Sequence, residues 1–495
     1  MKSYINKLII CIILFAGVSC EDYLAEEPKS FASTENLFNN ETAINQVLNG
    51  IYNVGAQIFW RERYLVRYNL SGDDIVSEND NDINRRAFND YTVISTNNYI
   101  RQAWKGHTNG IARTNLFLEN LEEFEDGLFK DRMRAEAKFL RAMFYFLQVR
   151  TFGNVPLLTE FENADLFPSQ AEIPQVYDQI IADFKDAAEN LPRWDEITGE
   201  QGRPTSTAAK AFLGKVYLTM ATTPETQDNK YFQLAAEQFK ELIDNHGLKL
   251  LANYMEVFQP QNEGGSEDIF SWQFLKDLPS PRQGYIHAYF SPNPGVYGQR
   301  GFARFIITPF LYDKLEDADA RKLAMVKGEY ESIKFNEAGN PVDTSLLQTP
   351  NNWALTTKFL DPDAGRFSHN NTNTNLPLMR YAEVLLMYSE AVNESVGPNA
   401  EAYMGIDMVR ERAGASQIPR GLSQGQLREY IRDERLLELH GEGKRWYDLV
   451  RWGILEDRIN EVKPEAAVEW PKHRFFPIPQ EELDVNRNLV QNPGY

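Results

Sequence analysis

Helical periodicity occurs in adjacent pairs along this chain, and it constrains the fold more than any other feature of the sequence. The stretches NGIARTNLFLENLEEF and DRMRAEAKFLRAMFYFLQVRTFG each carry apolar residues at i, i+3 and i+4. A second pair, PQVYDQIIADFKDAAENLP and TSTAAKAFLGKVYLTMATTP, follows with the same spacing. Neighbouring amphipathic helices bury such stripes against each other. The sequence therefore predicts a mostly α fold built from helix pairs.

Small residues near the second pair match part of a known helical repeat. Leu213, Gly214 and Tyr217 fit the L-G-x-x-Y pattern of a tetratricopeptide helix, and Ala235 and Phe239 fit the A-x-x-x-F pattern of its partner. Small side chains let two helices approach closely, while large ones fill the space between them. We therefore expect these five residues to be structural and the helices to pack like tetratricopeptide repeats.

Two irregular segments interrupt the helical pattern. Residues of about 55–103 and 268–375 are rich in Gly, Pro, Asn, Asp and aromatic side chains, which is typical of loops with few short strands. Helical spacing covers about 104–260 and returns over about 376–460. Because long loops within a compact domain are usually functional or disordered, we expect the first of these segments to be one or the other.

The N-terminus predicts export from the cytoplasm. Lys2 and Lys7 precede an apolar run from Leu8 to Val18. This run is too short to span a bilayer, which needs about 20 residues, but it is long enough for the core of a secretory signal. We therefore predict a signal peptide over residues 1–19.

The cysteine that follows this signal predicts lipid attachment. Cys20 comes directly after Ser19 and would be the first residue of the mature chain, without a second cysteine to pair with. This arrangement resembles the lipobox of bacterial lipoproteins, with Gly17 where Leu is usual. A stray cysteine after an ordinary signal peptide is the alternative. We expect a lipid on Cys20, a tether over 20–33 and a folded domain over 34–495.

The acidic composition argues against nucleic acid as a partner. The 495 residues include 71 Asp and Glu against 51 Lys and Arg, which gives a formal net charge of −20. Such a surface repels nucleic acid and anionic lipid headgroups. We therefore expect no nucleic-acid partner, and we expect membrane contact through the lipid on Cys20.

The sequence carries no signature of catalysis or metal binding. Its six histidines show no H-E-x-x-H spacing, and it has no G-x-S-x-G elbow, phosphate-binding glycine loop or EF-hand-type loop. Asp73 and Asp74 are adjacent, and neighbours on a chain rarely face each other across a sugar as glycosidase acids must. We therefore expect a protein that is not an enzyme and has no cofactor and no metal site.

Residues of the irregular segments favour a carbohydrate site. A sugar presents flat C–H faces edged with hydroxyl groups, so a receptor needs aromatic platforms and polar side chains. Aromatic residues of long loops also pin those loops to the core, so each candidate has a structural alternative. The candidate ligand-binding residues are Trp60, Asp73, Asp74, Asn98, Tyr99, Tyr285, Tyr289, Tyr297, Arg300 and Trp353.

Five segments, in this order along the chain, resemble the SusD/RagB family of outer-membrane nutrient-binding lipoproteins. They are CEDYLAEEP, RAEAKFLRAMFYFLQVRTFGNVPL, LPLMRYAEVLLMYSEAVNE, IRDERLLELHGEGKRWYDLVRWG and FFPIPQEELDVNRNLVQNPGY. The resemblance implies four tetratricopeptide-like helix pairs packed against a loop-rich ligand-binding subdomain. It also implies a protein of the cell outer membrane that captures oligosaccharides or other nutrients and passes them to a SusC-like TonB-dependent transporter.

We expect the residues of these signature segments to be structural. Arg380 and Glu383 are three apart and can pair on a helix, and Arg445 and Arg451 can pair with nearby acids. Buried positions are expected at Trp104, Tyr381, Leu385, Tyr388, Trp446, Leu449 and Val450.

Two other functions compete with a nutrient receptor. A periplasm-facing tetratricopeptide scaffold for outer-membrane assembly would be helical nearly throughout, and the aromatic-rich insert of about 270–375 argues against it. A surface glycoside hydrolase would need a positioned acid pair, and we identify none.

Glu21 and Asp22 resemble the acidic stretch after the lipidated cysteine of surface-displayed relatives, although a solvated tether has the same composition. The sequence therefore favours a receptor that faces the cell exterior and binds a glycan or another nutrient.

Overall fold

The computed structural model of the chain describes residues 38–59, 63–77, 80–278, 286–290, 301–335, 340–360 and 372–495. Its α-helices are α1 Glu41–Phe59, α2 Arg63–Leu70, α3 Ile83–Asp90, α4 Asn98–Leu121, α5 Leu128–Phe152, α6 Ile173–Asn190, α7 Ser206–Thr222, α8 Asn229–Asn245, α9 Ile286–Phe290, α10 Pro309–Tyr312, α11 Ala320–Leu323, α12 Tyr381–Val396, α13 Ala400–Ala413, α14 Gln424–Leu439, α15 Arg445–Arg451, α16 Leu455–Val462 and α17 Gln480–Val485. Its strands are β1 Ile75–Val76, β2 Val155–Pro156, β3 Gln170–Ala171, β4 Asp268–Trp272, β5 Ile306–Ile307, β6 Met325–Val326, β7 Glu329–Phe335, β8 Pro341–Gln348, β9 Leu355–Thr356 and β10 Leu376–Arg380.

The long helices form one continuous stack. Consecutive helices from α4 to α8 pack against each other, and α1 packs on α4. Helix α8 then packs against α12, which in turn contacts α13 and α14. The helical body is therefore continuous in space, although the chain leaves it between α8 and α12. This confirms the predicted mostly α, tetratricopeptide-like fold.

The repeat-like residues of α7 and α8 lie at a close helix contact. Leu213, Ala235 and Phe239 are buried. A Cβ atom on Gly214 would lie 2.5 Å from the ring of Phe239, so only glycine permits this approach of the two helices. The predicted role of these residues in packing is confirmed.

The signature segments also lie in the core. As predicted, Trp104, Tyr381, Leu385, Tyr388, Trp446 and Leu449 are buried, and Val450 is half-buried. The ring of Trp446 stacks on Phe476, with 4.7 Å between the ring centroids. These side chains therefore belong to the core of the protein.

Short antiparallel strand pairs organise the irregular parts of the described chain. Strand β4 pairs with β10, which leads the chain back into the helical body. Strands β7 and β8 form a hairpin, and β1 pairs with β5. These pairs agree with the prediction that the irregular segments contain a small number of short strands. None of the helices in the described part of the chain combines the length and apolarity needed to cross a membrane.

The segment of about 55–103 is not a continuous loop. It contains α2 and α3, and α4 begins at Asn98, ahead of the predicted start near residue 104. Helix α2 buries nearly all of its side chains, so its sequence lacks an alternation of apolar and polar faces. Helix α3 follows the cap residue Asp82, whose carboxylate accepts from the backbone N–H groups of Asn84 and Arg85. Its polar composition had indicated a loop.

Candidate ligand-binding site

The segment IRDERLLELHGEGKRWYDLVRWG supplies the centre of a buried ion-pair network. The side chain of Arg380 is fully buried and lies 2.6 Å from a carboxylate oxygen of Glu438 and 2.9 Å from one of Glu442. Arg412 also contacts Glu438, at 2.5 Å, and Glu267, at 3.3 Å. Because Glu267 directly precedes β4, Arg380 ends β10 and Glu438 lies on α14, the network joins the insert to the helical body.

The predicted pair of Arg380 and Glu383 does not form. Arg380 has extended backbone angles at the end of β10, so it is not part of the helix on which Glu383 lies, and the i,i+3 rule does not apply. Glu383 instead contacts Lys215 at 2.7 Å and Lys444 at 2.6 Å. Burial alone would raise the pKa of Glu383, but these lysines and Arg435 lower it to about 2.

Both arginines of α15 pair with acids, as expected, although their partners Asp73 and Glu390 are distant in the sequence. Arg445 contacts Asp73 at 2.6 Å, and Arg451 contacts Glu390 at 2.5 Å. Asp74 accepts a hydrogen bond from the backbone N–H of Gly441. Burial, together with the adjacent charge of Asp73, raises the pKa of Asp74 to about 6. Asp73 and Asp74 are inaccessible, so their position does not fit the expected contact with a ligand.

Other predicted site residues hold loops in place. The hydroxyl of Tyr99 donates to a carboxylate oxygen of Asp82 at 3.1 Å, and Asn98 accepts from Arg101 at 2.6 Å. The ring of Tyr289 is buried and packs on Phe302 and Phe305. Cys20, Trp60, Tyr285, Tyr297 and Arg300 lie outside the described residues.

Trp353 lies half-buried on a small apolar cluster. This cluster consists of Val76, Ile306 and Leu355. Strand β1 pairs with β5, and Ile307 of β5 forms a bridge with Ala354. The structure therefore brings Trp353 close to the loop that carries Asp73 and Asp74. This is expected if the candidate residues belong to one region. Among the described aromatic candidates, Trp353 retains part of its ring surface for contact.

A cavity of about 610 Å³ lies between α1 and the end of β4, at residues that sequence reasoning did not select. Gln46, Asn49, Gly50 and Asn53 line it from one face of α1, since they are spaced at i, i+3, i+4 and i+7. Among the described residues, no atom beyond the adjacent turns of α1 lies within 4 Å of the place where a Cβ atom on Gly50 would be. The other lining residues are Tyr52, Ala56, Gly202, Ser271, Trp272, Gln273, Leu275 and Leu278.

The floor of this cavity is apolar and its walls carry amides. Trp272 packs against α1 where Gly55 leaves room, because a Cβ atom on Gly55 would overlap its ring. The ring of Trp272 lies 5.9 Å from that of Tyr52. Leu275 is exposed. The volume falls in the range of about 300–1,000 Å³ that is typical of small-molecule sites.

One amide of the cavity is unsatisfied. The side-chain oxygen of Asn53 is buried and has no hydrogen-bond partner among the described residues. A buried acceptor without a partner costs about 1–3 kcal/mol, and this oxygen meets a donor from the cavity only if the amide of Asn53 turns toward it. The amide of Gln273 is held by Asn375, which donates to it at 2.8 Å. The cavity thus offers to sugar hydroxyl groups the amide of Gln273, which is fixed in position, and the exposed amides of Gln46 and Asn49.

Two family models match opposite ends of the chain. The model described as the SusD family matches residues 309–495, and the model described as "Starch-binding associating with outer membrane" matches residues 22–218. Together the two matches cover most of the sequence. The matched ranges contain four of the five signature segments in full. They also contain most of the fifth, which begins at Cys20.

Relatives align over almost the full length. A SusD-like protein of Formosa agariphila is 27% identical over 99% of this chain and 99% of its own length. A SusD homologue from Bacteroides thetaiotaomicron superposes with a TM-score of 0.81 at 26% identity, over 94% of this chain and 100% of that chain. A laminarin-binding SusD-like protein superposes with a TM-score of 0.77 at 29% identity, over 92% and 100%. On these matches, the chain belongs to the SusD/RagB family.

Proposed function

We propose that this protein is a receptor that binds an oligosaccharide, without cleaving it, in the cavity between α1 and β4. The observation that carries the proposal is the amide-bearing face of α1, where the exposed side chains of Gln46 and Asn49 line the cavity. Amides and sugar hydroxyl groups are matched as donors and acceptors. The names of relatives support the ligand class, since one is described as laminarin-binding and another as a starch-binding protein.

The apolar part of the cavity suits the flat face of a sugar. Tyr52 and Leu275 offer apolar surface beside the amides of Asn49 and Asn53. Trp60 and Tyr285 remain predicted platforms. In the sequence they lie four residues after Ala56 and seven after Leu278, and both of these reference residues line the cavity. Tyr297, Arg300 and Trp353 remain predicted contacts of the same loop-rich region.

Gly50→Phe is expected to block this site while leaving the fold intact. The described residues leave space for a Cβ atom on Gly50, so a phenyl side chain can extend from there into the volume that a sugar ring would need. We expect the parent to bind an oligosaccharide with an affinity between about micromolar and millimolar, and the variant to bind at least about tenfold more weakly. Calorimetry against laminari-, malto- and other oligosaccharides measures both affinities.

Gly425→Phe provides the matched control. Gly425 is also helical with open space around it, but it lies on α14 and does not line the cavity. Its variant should bind as tightly as the parent and melt at the same temperature. Equal binding by Gly50→Phe and Gly425→Phe would place the site elsewhere. Release of shorter sugars during the titration, detected by chromatography, would instead favour the glycoside hydrolase.

We also propose that the receptor acts at the outer membrane and delivers its ligand to a TonB-dependent transporter. The family model that matches residues 22–218 is described as associating with the outer membrane, which supports a location at that membrane. Exposed apolar side chains offer a surface for a partner: Leu166 and Phe167 lie beside the segment that carries Val485 and Val490. The side chain of Asn488 donates to the backbone oxygen of Phe167 at 2.6 Å and so holds the two segments together.

Cys20→Ala is expected to release the protein from the membrane fraction without unfolding it. The predicted tether over 20–33 separates this residue from the folded domain, so the change removes the lipid and leaves the core unaltered. Cell fractionation and labelling with a fatty acid measure anchoring. A variant that stays membrane-bound, together with a parent that takes up no label, would contradict lipid attachment at Cys20.

A further inference from the structure

A second cavity, of about 350 Å³, opens within the helical body. Residues of α5, α6, α7, α12, α14 and α15 line it, together with the chain around Trp470 and Arg474. Its lining contains more cationic than anionic side chains. The arginines are Arg150, Arg428, Arg432, Arg451 and Arg474, and the carboxylates are Glu390 and Glu394. This cationic lining is unusual for a chain with a formal net charge of −20. It raises the question of which of these arginines lacks a counterion.

Four of these arginines are neutralised by glutamates. Arg428 pairs with Glu394 and Arg451 pairs with Glu390, each through two hydrogen bonds. The other two pairs are Arg432 with Glu429 and Arg474 with Glu225. These pairs fix the walls of the cavity and leave one guanidinium group without a counterion.

That group belongs to Arg150, which has no carboxylate partner in the described part of the chain. Its Nε donates to the backbone oxygen of Phe146 at 3.0 Å. Its guanidinium carbon lies 3.7 Å from the ring centroid of Phe146 and 4.0 Å from that of Tyr447. The stacking holds the guanidinium plane, while its two terminal nitrogens make no hydrogen bond to described residues. A preorganised guanidinium fork of this kind binds a carboxylate through two parallel hydrogen bonds.

The rest of the lining specifies the body of the ligand. Tyr177, Phe232, Phe475 and Trp470 add aromatic surface to the same cavity, and Trp470 is partly exposed. Aromatic walls favour flat or ring-shaped groups. We propose that this cavity is a second binding site, for a small ring-shaped molecule that carries one carboxylate, such as a uronic acid. It is separate from the proposed oligosaccharide site beside α1 and does not depend on it.

Calorimetry with glucuronate, benzoate and glucose tests the proposal. We expect glucuronate or benzoate to bind, with an affinity that falls as salt is added, and glucose to bind at least about tenfold more weakly than the better acid. Binding of glucuronate alone would identify the ligand as an acidic sugar, and binding of benzoate alone would identify it as an aromatic acid. Absence of binding by both acids, or equal binding of glucose, would overturn the proposal.

Two kinds of variant locate the binding. Arg150→Gln should weaken acid binding at least about tenfold, whereas Arg113→Gln, on the exposed face of α4, should not. Since Arg150 also stacks in the core, Gln227 provides a test at the rim: it lines the cavity and is exposed. Gln227→Glu should weaken acid binding severalfold and Gln227→Lys should strengthen it, with unchanged melting. Identical affinities in these two variants would refute the assignment. Gly50→Phe should leave acid binding unchanged.

Discussion

Arg380→Met is expected to lower the free energy of unfolding by about 3–5 kcal/mol. The change removes the positive charge that faces Glu438 and Glu442 and leaves both carboxylates buried, with fewer partners. Methionine is apolar and unbranched, so the aliphatic part of the side chain remains filled while the charge is lost. Chemical denaturation followed by circular dichroism measures the difference.

Arg420→Met is the control for this prediction. Arg420 forms an equally close two-bonded pair with Asp407, but its side chain is 56% exposed. Exposed ion pairs typically contribute about 0–1 kcal/mol, so this variant should be nearly as stable as the parent. Similar losses in the two variants would contradict a structural role for the buried network.

Gly405→Val is expected to destabilise the protein by about 3 kcal/mol or more, because it overpacks the contact between α12 and α13. A Cβ atom on Gly405 would lie 2.1 Å from the backbone oxygen of Leu385. A backbone atom cannot turn aside as the end of a side chain can, so the two helices must separate. That separation also breaks the hydrogen bond from the N–H of Ile406 to the hydroxyl of Ser389.

Gly425→Val tests whether this loss comes from the close contact. Both glycines are helical, and both variants gain the same β-branched side chain, but Gly425 has open space around it. Thermal unfolding should therefore show a large fall in melting temperature for Gly405→Val and a small change for Gly425→Val. Equal changes would mean that helix propensity, and not the helix contact, determines the effect.

The helical body could be predicted from the sequence because its signals are local. The spacing of apolar residues, and the pattern that contains Gly214 and Phe239, depend on residues within one pair of neighbouring helices. The pairing of Arg380 could not be predicted in this way. Its partners Glu438 and Glu442 are 58 and 62 residues away in the sequence. Glu383, which is only three residues away, contacts Lys215 and Lys444 instead.

The candidate site depended even more on distant contacts. Asp73 resembled a loop residue available to a ligand, but Arg445, which buries it, is 372 residues away. No local sequence pattern marks the amides of Asn49 and Asn53 as part of a site. They line a cavity because β4, more than 200 residues later in the chain, lies opposite α1. Side-chain chemistry favoured a carbohydrate as the ligand. The surface proposed to bind it, between α1 and β4, could be identified only from the fold.

The described insert also bears on the scaffold alternative. Strand pairs such as β4 with β10 and β7 with β8 separate α8 from α12 in the sequence, so the chain is not helical nearly throughout. The cavity proposed for the oligosaccharide lies between this insert and the first helix of the body. A scaffold made of helix pairs would have no need of such a junction, whereas a receptor uses it to enclose a ligand.

A crystal structure of the protein with the oligosaccharide that binds most tightly in the calorimetric panel tests the central claim most directly. We predict that a sugar ring lies in the cavity between α1 and β4, and that one of its hydroxyl groups donates a hydrogen bond to the side-chain oxygen of Gln46 or Asn49. A bound sugar in another part of the molecule, with this cavity filled by water, would contradict the account.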